Sequence, residues 1–266
     1  MTSIADYKLF TPLEIGKGLT LKNRIVYGPT TRARADVDTR VPNERMCVYY
    51  EQRAAAGLLI TEGCGISEQG YGWWGAPALY NDEHAAGWKT LVDRVHAKDG
   101  KIFLQLWHMG RQSHPSFSSK NEVVSASATR YETGHTRDAT GEHQLSVHGL
   151  AYLAILDGFF LGYTEKSDLI TAFDAKKAFK GTVIANSSYA RDTAEGVLRS
   201  GCADLVGFAR LFMATPDLVE RFQHDWPLNA PLEYEFYWDA HKGDEGYHTL
   251  PLYAEVEIAA DKKVEA

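Results

Sequence analysis

The sequence predicts an α/β fold, and three observations carry that prediction. Six short apolar runs end in glycine or a polar residue, as strands do when both faces of a parallel sheet are buried. Between most of them lie longer segments with apolar residues three and four positions apart, the pattern of amphipathic helices. The 266 residues, 44% of them hydrophobic, suffice for a large core in one domain. Strands alternating with helices favour a TIM-type barrel, here incomplete, with about six of its usual eight strand–helix units.

The predicted elements follow one another regularly along the chain. The strands are expected at residues 23–28, 57–62, 101–107, 150–156, 182–186 and 203–208. Helices are expected at residues 43–56, 82–99, 165–179, 192–200 and 216–224. The second helix is the clearest, because Trp88, Leu91 and Val95 share one face. Asp82 is available to cap its start, and Gly100 is available to end it.

Residues 108–147 interrupt this order. The segment is rich in Ser, Thr, His, Arg and Gly and has no apolar periodicity. Irregular stretches of about forty residues are uncommon inside compact domains. We therefore expect a single barrel domain over residues 1–266, with two strand–helix units missing at 108–147.

Charge and cysteine content narrow the possible functions. The chain has 28 Lys and Arg against 35 Asp and Glu, a net charge of −7, and no basic stripe for nucleic acid or an anionic membrane. Cys47, Cys64 and Cys202 are odd in number and far apart, and no His or Cys has metal-site spacing, so we expect no bound metal and a reducing compartment. The first residues lack the pattern of a secretion signal, and no apolar run reaches roughly 18 residues. A cytoplasmic protein without a membrane anchor is predicted, and its oligomeric state stays open.

Four motifs at the predicted strand ends resemble those of one enzyme family. They are GPTTRAR at 28–34, LITEG at 59–63, QLWHMGR at 105–111 and GFARLF at 207–212. Taken in order, they are similar to the Old Yellow Enzyme family, the FMN-dependent NAD(P)H ene-reductases. The resemblance implies FMN as the cofactor, NADPH or NADH as the reductant and a small-molecule enone as the substrate. The implied reaction is reduction of the activated C=C bond of α,β-unsaturated carbonyl compounds.

The resemblance also implies where the FMN phosphate binds. Ser187, Ser188, Ala209 and Arg210 follow the last two strands, where TIM barrels generally bind phosphate. The Arg210 guanidinium can hold two phosphate oxygens, while backbone N–H groups supply further donors. Ser188 and Ala209 stand where many relatives have glycine, so each places a Cβ where the backbone should approach the ligand closely.

The flavin ring is expected at the ends of the first three strands. By resemblance, Thr31 matches a hydroxyl that donates to the flavin O4 atom, and Gln105 matches an amide that pairs with the pyrimidine edge. An amide in an otherwise apolar buried strand must find a partner, which favours this role for Gln105. Backbone contacts to the ring are implied for Pro29, Thr30 and Gly63.

Aromatic residues are expected on the substrate side. Trp107, Phe236 and Tyr237 match positions around the family's substrate pocket, where flat walls suit a planar enone. The loop Tyr71-Gly72-Trp73-Trp74 also follows a predicted strand. It is either a roof over this pocket or packing for a neighbouring loop.

The family's catalytic groups have no clear match in this chain. Family members carry a His and an Asn that bind the substrate carbonyl, a Tyr that donates a proton and an Arg beside the flavin. The part that would hold these groups, about two barrel units, is missing between Ser125 and Leu150. His148 is a weak candidate, because it begins a similar motif. Ala151 stands where the Asn belongs, so we prefer to interpret His148 as a residue at the junction.

Two functions of different classes therefore stay open. The first is a working NAD(P)H-dependent flavin oxidoreductase with a rebuilt barrel, in which His108, His114 or His148 serves as a donor. The alternative is a truncated family member, catalytically impaired or inactive, since two missing strands leave sheet edges unpaired. A third, weaker candidate is another phosphate-binding barrel such as an isomerase, for which Glu62 is the one carboxylate at a strand end.

Overall fold

A computed structural model of the chain describes residues 3–113, 117–120, 122–126, 152–156, 171–238 and 240–256. Its strands are β1 (Leu13–Glu14), β2 (Thr20–Leu21), β3 (Ile25–Tyr27), β4 (Leu58–Gly65), β5 (Ile102–Trp107), β6 (Tyr152–Leu156), β7 (Thr182–Asn186) and β8 (Leu205–Phe208). Its helices are α1 (Glu44–Gln52), α2 (Asp82–Ala97), α3 (Ala172–Ala178), α4 (Arg191–Arg199), α5 (Arg210–Ala214) and α6 (Leu218–His224). None of the described helices has the length and apolar character needed to cross a lipid bilayer.

Strands β3 to β8 form one parallel sheet in the order β5-β4-β3-β8-β7-β6. Val26 of β3 lies opposite Leu58 of β4 on one side and opposite Gly207 of β8 on the other. Pairing between the first and the last of these strands is the closure that a barrel requires. Among the described residues, the outer strands β5 and β6 each pair on one side only. The predicted fold, an incomplete TIM-type barrel, is confirmed.

The predicted elements are present, with several corrections. Asn81, and not Asp82, caps α2, because the Asn81 side chain accepts a hydrogen bond of 2.8 Å from the His84 N–H group. Asp82 is the first residue inside that helix, where a carboxylate favours the positive end of the helix dipole. The antiparallel hairpin of β1 and β2 and the short helix α5 are additions to the predicted set. Of the segment 108–147, the part after residue 126 lies outside the described residues, as does the first part of the predicted helix 165–179.

The two faces of the sheet have different covers. On the outer face, Tyr27, Leu59 and Val206 pack with buried residues of the surrounding helices. On the inner face, the hairpin covers the beginnings of four strands. This inner cluster consists of Ile15 and Leu21 from the hairpin with Val26, Leu58, Ile60, Ile184 and Leu205. Side chains alternate along each strand, so every second residue in the carboxyl halves of these strands also faces inward, beyond the part that the hairpin covers.

Candidate cofactor site at the carboxyl edge of the sheet

All nine residues predicted to contact FMN lie at the carboxyl edge of the sheet. They come from five neighbouring strands or from the residues that directly follow them: Pro29, Thr30, Thr31, Gly63, Gln105, Ser187, Ser188, Ala209 and Arg210. Gly63 and Gln105 are direct partners in the pairing of β4 with β5. In parallel sheets of this kind, ligands bind beyond the carboxyl ends of the strands.

The inner face changes character between its two ends. At the hairpin end it carries the large aliphatic side chains of the inner cluster, whereas two residues further along β3 and β8 it carries Gly28 and Gly207. A Cβ at Gly28 would lie 3.8 Å from Asn186 Nδ2, and one at Gly207 would lie 3.3 Å from Asn186 Cγ. The Asn186 amide thus extends over Gly207 towards Gly28. The result is a low, polar floor that larger side chains would fill.

The loop after β7 keeps a conformation typical of glycine. Ser187 has a φ of 102° and Ser188 a φ of 58°, both in the left-handed region. A non-glycine residue pays about 1 kcal/mol for that conformation. The Ser187 N–H donates to the Asn186 Oδ1 atom at 2.8 Å. Ala209 has a φ of −107°, which any residue adopts, and Arg210 begins α5 directly after it. The backbone at position 188 therefore has a conformation that favours glycine, whereas the backbone at position 209 accommodates alanine without strain.

A buried carboxylate holds the loop that follows β3. Glu62 Oε2 accepts hydrogen bonds from the N–H groups of Arg32 at 3.1 Å and Ala33 at 2.8 Å. The Glu62 side chain is fully buried. Burial raises the pKa of its carboxyl group, although the two N–H donors act to lower it. These contacts make Glu62 an anchor for the loop that carries Thr31, and they do not suit the exposed base of an isomerase.

The other predicted residues of this loop differ in exposure. Pro29 is exposed, whereas Thr30 and Thr31 are half-buried. The Thr30 hydroxyl forms a hydrogen bond with the Tyr27 hydroxyl, which in turn lies 2.7 Å from the Tyr49 hydroxyl. The Thr30 side chain is thus tied to the core, which places its neighbour Thr31 at a defined point of the edge.

The Gln105 side chain is exposed, so the expectation of a buried amide is wrong. The residue lies in β5, an outer strand of the described sheet, and therefore has fewer neighbours than a residue in a central strand. Its backbone is nevertheless fixed, because the Gln105 N–H donates to Thr61 Oγ1 at 3.0 Å. The Gln105 amide therefore lies at the predicted edge, but buried neighbours do not fix its side chain.

Aromatic rings form a continuous row beside this edge. The ring centroids of Trp107 and Trp73 are 6.2 Å apart, and those of Trp73 and Trp238 are 6.1 Å apart. Trp238 then contacts Tyr237 at 5.8 Å and Tyr234 at 4.7 Å. The row connects two of the predicted substrate-pocket residues, Trp107 and Tyr237, through two further tryptophans. Trp73 also packs with Trp107 and Phe117 against buried Tyr71, Ala76 and Ala78, which agrees with packing of this loop against its neighbours.

Phe236, the third predicted pocket residue, packs differently. Its ring is close to Gly246, where a Cβ would lie 2.7 Å from the ring, and Lys242 Nζ lies 4.7 Å from the ring centroid. The sequence analysis does not predict Trp238 and Tyr234 as members of the aromatic row. Their position close to Tyr237 in the sequence is the one signal for them. Asn186 is also missed as a floor residue. Its signal is the alternation with Ile184 along β7.

Of the three candidate proton donors, His108 is the one within the described residues. His108 is exposed, and its Nδ1 atom accepts a hydrogen bond of 3.0 Å from the Gly110 N–H. His114 and His148 lie outside the described residues. Within the described ranges, no cluster of three His, Cys, Asp or Glu side chains has the geometry of a metal site. The described residues of the candidate site are thus the groups at the carboxyl edge and the aromatic row beside it.

Part of the edge just described lies within a family match. A model of the NADH:flavin oxidoreductase / NADH oxidase family matches residues 8–155, which include β3, β4, β5 and the loops after them. The chain belongs to this family. The match spans more than half of the chain and contains Thr31, Gly63 and Gln105. It confirms the resemblance stated from the motifs, and with it the assignment to FMN-dependent oxidoreductases.

Curated relatives match this chain in two ways. It is 46% identical to a chanoclavine-I aldehyde reductase from Penicillium roqueforti over 127 residues, which cover 46% of this chain but 34% of the relative. It is 26% identical to 12-oxophytodienoate reductase 1 from Oryza sativa subsp. japonica over 371 positions, with 97% of this chain and 96% of the relative covered. That alignment is longer than the chain itself, so it contains a gap in this chain, as the missing barrel units predict.

Solved structures show the same fold. Morphinone reductase superposes with a TM-score of 0.79 at 26% identity, over 96% of this chain and 99% of that one. The old yellow enzyme homologue from Zymomonas mobilis superposes with a TM-score of 0.75 at 25% identity, over 92% of this chain and 99% of that one. The incomplete barrel thus retains the architecture of complete family members.

Proposed function

We propose that this protein is an FMN-dependent oxidoreductase that uses NADPH or NADH to reduce the activated C=C bond of small α,β-unsaturated carbonyl compounds. The observation that carries the proposal is the low, polar floor at the carboxyl edge, with an aromatic row beside it. A flat ring with polar edges suits such a floor, since Gly28 and Gly207 leave room and the Asn186 amide offers a donor and an acceptor.

The FMN phosphate end is assigned to the loops after β7 and β8. There Arg210 supplies a cation and the backbone of Ser188 supplies an N–H donor in a left-handed loop. At the other end, the Thr31 hydroxyl and the Gln105 amide would orient the ring by hydrogen bonds to its polar edge. FMN, when bound, supplies the redox centre that takes a hydride from NAD(P)H and delivers it to an activated alkene.

The protein's own part on the substrate side is positioning and exclusion of water. Trp107, Trp73, Trp238 and Tyr237 form a wall beside the floor, against which a planar enone can stack. The group that polarises the enone carbonyl is not assigned to a described residue, and His148 stays the candidate from the sequence. The net charge of −7 argues against nucleic acid as a partner and agrees with a small-molecule substrate. We also propose a cytoplasmic location, which cell fractionation tests.

A second candidate is a family member that folds but is catalytically impaired. One observation favours it: β5 pairs on one side only in the described sheet, and its Gln105 and Leu106 side chains are exposed. Loss of one preorganised hydrogen-bond donor to a reacting carbonyl typically costs about 2.7 to 4 kcal/mol of transition-state stabilisation. A chain without that donor would bind FMN and turn over slowly.

A titration of the purified full-length chain with FMN, followed by flavin fluorescence, tests the proposal. NADPH and NADH oxidation are then measured separately, with and without cyclohexenone. Enone-dependent oxidation supports the working enzyme. FMN binding without enone-dependent turnover supports the impaired family member, and no FMN binding contradicts both.

A matched pair of variants locates the phosphate. Arg210→Ala should weaken FMN binding by about tenfold to a hundredfold, because charge-assisted hydrogen bonds contribute about 1.5–3 kcal/mol. Arg199→Ala, at the far end of α4, should leave the FMN dissociation constant unchanged. Equal affinities for the two variants would remove Arg210 from the site.

A further inference from the structure

Arg32 connects the loop after β3 to the segment that carries the predicted substrate wall. Its Nε atom donates to the Tyr237 carbonyl oxygen at 2.7 Å, and its Nη2 atom donates to the carbonyl oxygens of Phe236 at 3.1 Å and Gly246 at 2.8 Å. Its Nη1 atom donates to the Tyr49 hydroxyl at 2.6 Å. One guanidinium therefore binds the backbone of two predicted pocket residues that lie about two hundred positions away in the chain.

The backbone of Arg32 is equally well fixed on the cofactor side. The residue directly follows Thr31, and its N–H donates to Glu62 Oε2 at 3.1 Å. Glu62 in turn directly precedes Gly63. Arg32, itself part of the loop after β3, thus has direct contacts to Glu62 of β4 and to the segment of residues 234–238 and 240–247, here called the wall segment.

The arginine is held in a buried site that suits its shape. It is 0% exposed, and the acceptors of its side-chain hydrogen bonds are three carbonyl oxygens and one hydroxyl. The rings of Tyr49 and Tyr247 lie 5.1 Å from its guanidinium carbon, at distances of cation–π attraction. A lysine ammonium presents its donors from one point, so it cannot span acceptors placed around a planar fork.

Neighbouring contacts stiffen the same connection. Arg34 donates to the Arg32 carbonyl oxygen at 2.6 Å and to the Gly243 carbonyl oxygen at 3.0 Å. Tyr247 stacks on Tyr49 with centroids 4.1 Å apart and an angle of 4° between the rings. The described wall segment is thus held by side chains of the β3 loop and α1, and it belongs to no strand of the sheet.

We propose that Arg32 is a positioning residue for the substrate side of the site. It holds the backbone of Phe236 and Tyr237 at a fixed distance from the loop that carries Thr31, and so determines how tightly an enone binds against the wall. This inference rests on the proposed function. It assigns to Arg32 an effect on substrate binding and a much smaller effect on cofactor binding or on the chemical step.

The test compares Arg32→Lys with Arg221→Lys in the full-length chain. Arg221 is also a buried arginine that donates to two backbone carbonyl oxygens, those of Pro227 and Pro251. Its ion pair with Asp217 and its ring contact with Tyr253 likewise involve no predicted site residue. For Arg32→Lys we expect the KM for cyclohexenone to rise by about tenfold, with kcat and the FMN dissociation constant changed by less than about threefold. Arg221→Lys should leave all three values near those of the wild type.

Two further measurements keep the outcome decisive. Tyr49→Phe removes one of the four acceptors and should raise the KM in the same direction by a smaller factor, which serves if Arg32→Lys does not fold. Hydrogen exchange of the chain without FMN should show faster exchange of the wall segment in Arg32→Lys than in Arg221→Lys.

An unchanged KM, or equal changes of KM in the two lysine variants, would overturn the inference, as would equal exchange of the wall segment. A wild-type chain that neither binds FMN nor turns over contradicts the proposed function and the substrate half of this inference together. In that case hydrogen exchange alone decides whether Arg32 holds the wall segment.

Discussion

Strands β4 and β5 lie side by side and have similar apolar sequences, but their environments differ. Every residue of β4 is buried, whereas in β5 Gln105 and Leu106 are exposed, and Leu106 shows 65% of its surface. β4 has a partner on each side, while β5 pairs with β4 alone among the described residues. The comparison teaches that an apolar run specifies a strand, and that its neighbours decide whether the strand is buried.

The largest expected change is in the free energy of unfolding, when a leucine is replaced by alanine in each of the two strands. Leu59→Ala in β4 should destabilise the protein by about 2–5 kcal/mol, because the side chain is fully buried and leaves a cavity. Leu106→Ala in β5 should change the free energy of unfolding by no more than about 0.5 kcal/mol. Urea unfolding followed by circular dichroism measures both. A loss above about 2 kcal/mol for Leu106→Ala would show that this face of β5 is covered in solution.

The next prediction contrasts the buried Glu62 of β4 with the exposed Gln105 of β5. Burial raises the pKa of the Glu62 carboxyl, while the N–H groups of Arg32 and Ala33 and the charge of Arg34 oppose that rise. The unfolded chain ionises this group from about pH 4.3, so the stability that the protonated form provides is lost as the pH rises through the folded pKa. The stability of Glu62→Gln relative to the wild type should therefore increase as the pH rises above about 4.3.

Denaturant unfolding of both proteins at several pH values measures this gain. The Gln carbonyl can still accept the two N–H groups, so the loop after β3 should keep its place. Gln105→Glu in β5 is the matched control, because an exposed carboxyl should titrate without a comparable change in stability. A stability difference between Glu62→Gln and the wild type that does not vary with pH would contradict the buried state of Glu62.

The smallest effect lies in the loop after β7, a strand with partners on both sides. Ser188 has a φ of 58°, so Ser188→Gly should relieve backbone strain and stabilise the protein by up to about 1 kcal/mol. Ser200→Gly is the control, since Ser200 has a φ of −66° and should gain nothing. Thermal unfolding of the two variants provides the comparison. A loss of stability in Ser188→Gly would mean that the loop does not hold this conformation.

Much of the fold was open to prediction from local pattern. The apolar runs at 57–62 and 182–186 match β4 and β7 closely, because continuous apolar runs closed by glycine or polar residues are typical of central parallel strands. The position of the nine residues predicted to contact FMN followed from the motifs, and the parallel sheet explains why they share one edge. The burial of Gln105 was predicted wrongly, since the pattern of β5 contains no information about how many partners that strand has.

Other features required the three-dimensional structure. Trp73 and Trp238 belong to one aromatic row although the chain separates them widely. The hairpin of β1 and β2 is too short for a periodic signal, yet it covers the inner face of the sheet. Both features depend on which segments meet across the barrel, and hydrophobic periodicity reports only which face of its own element a residue occupies.

By itself, the sequence determined the alternation of strands and helices, the family and the residue types at each strand end, because these depend on neighbours within a few positions. Only the tertiary structure decided that Arg32 binds the carbonyl oxygens of Phe236 and Tyr237, and that the Asn186 side chain reaches across Gly207 to Gly28. The physical reason is that such contacts form when the first and last strands pair. That closure brings together residues whose distance along the chain leaves no local signal.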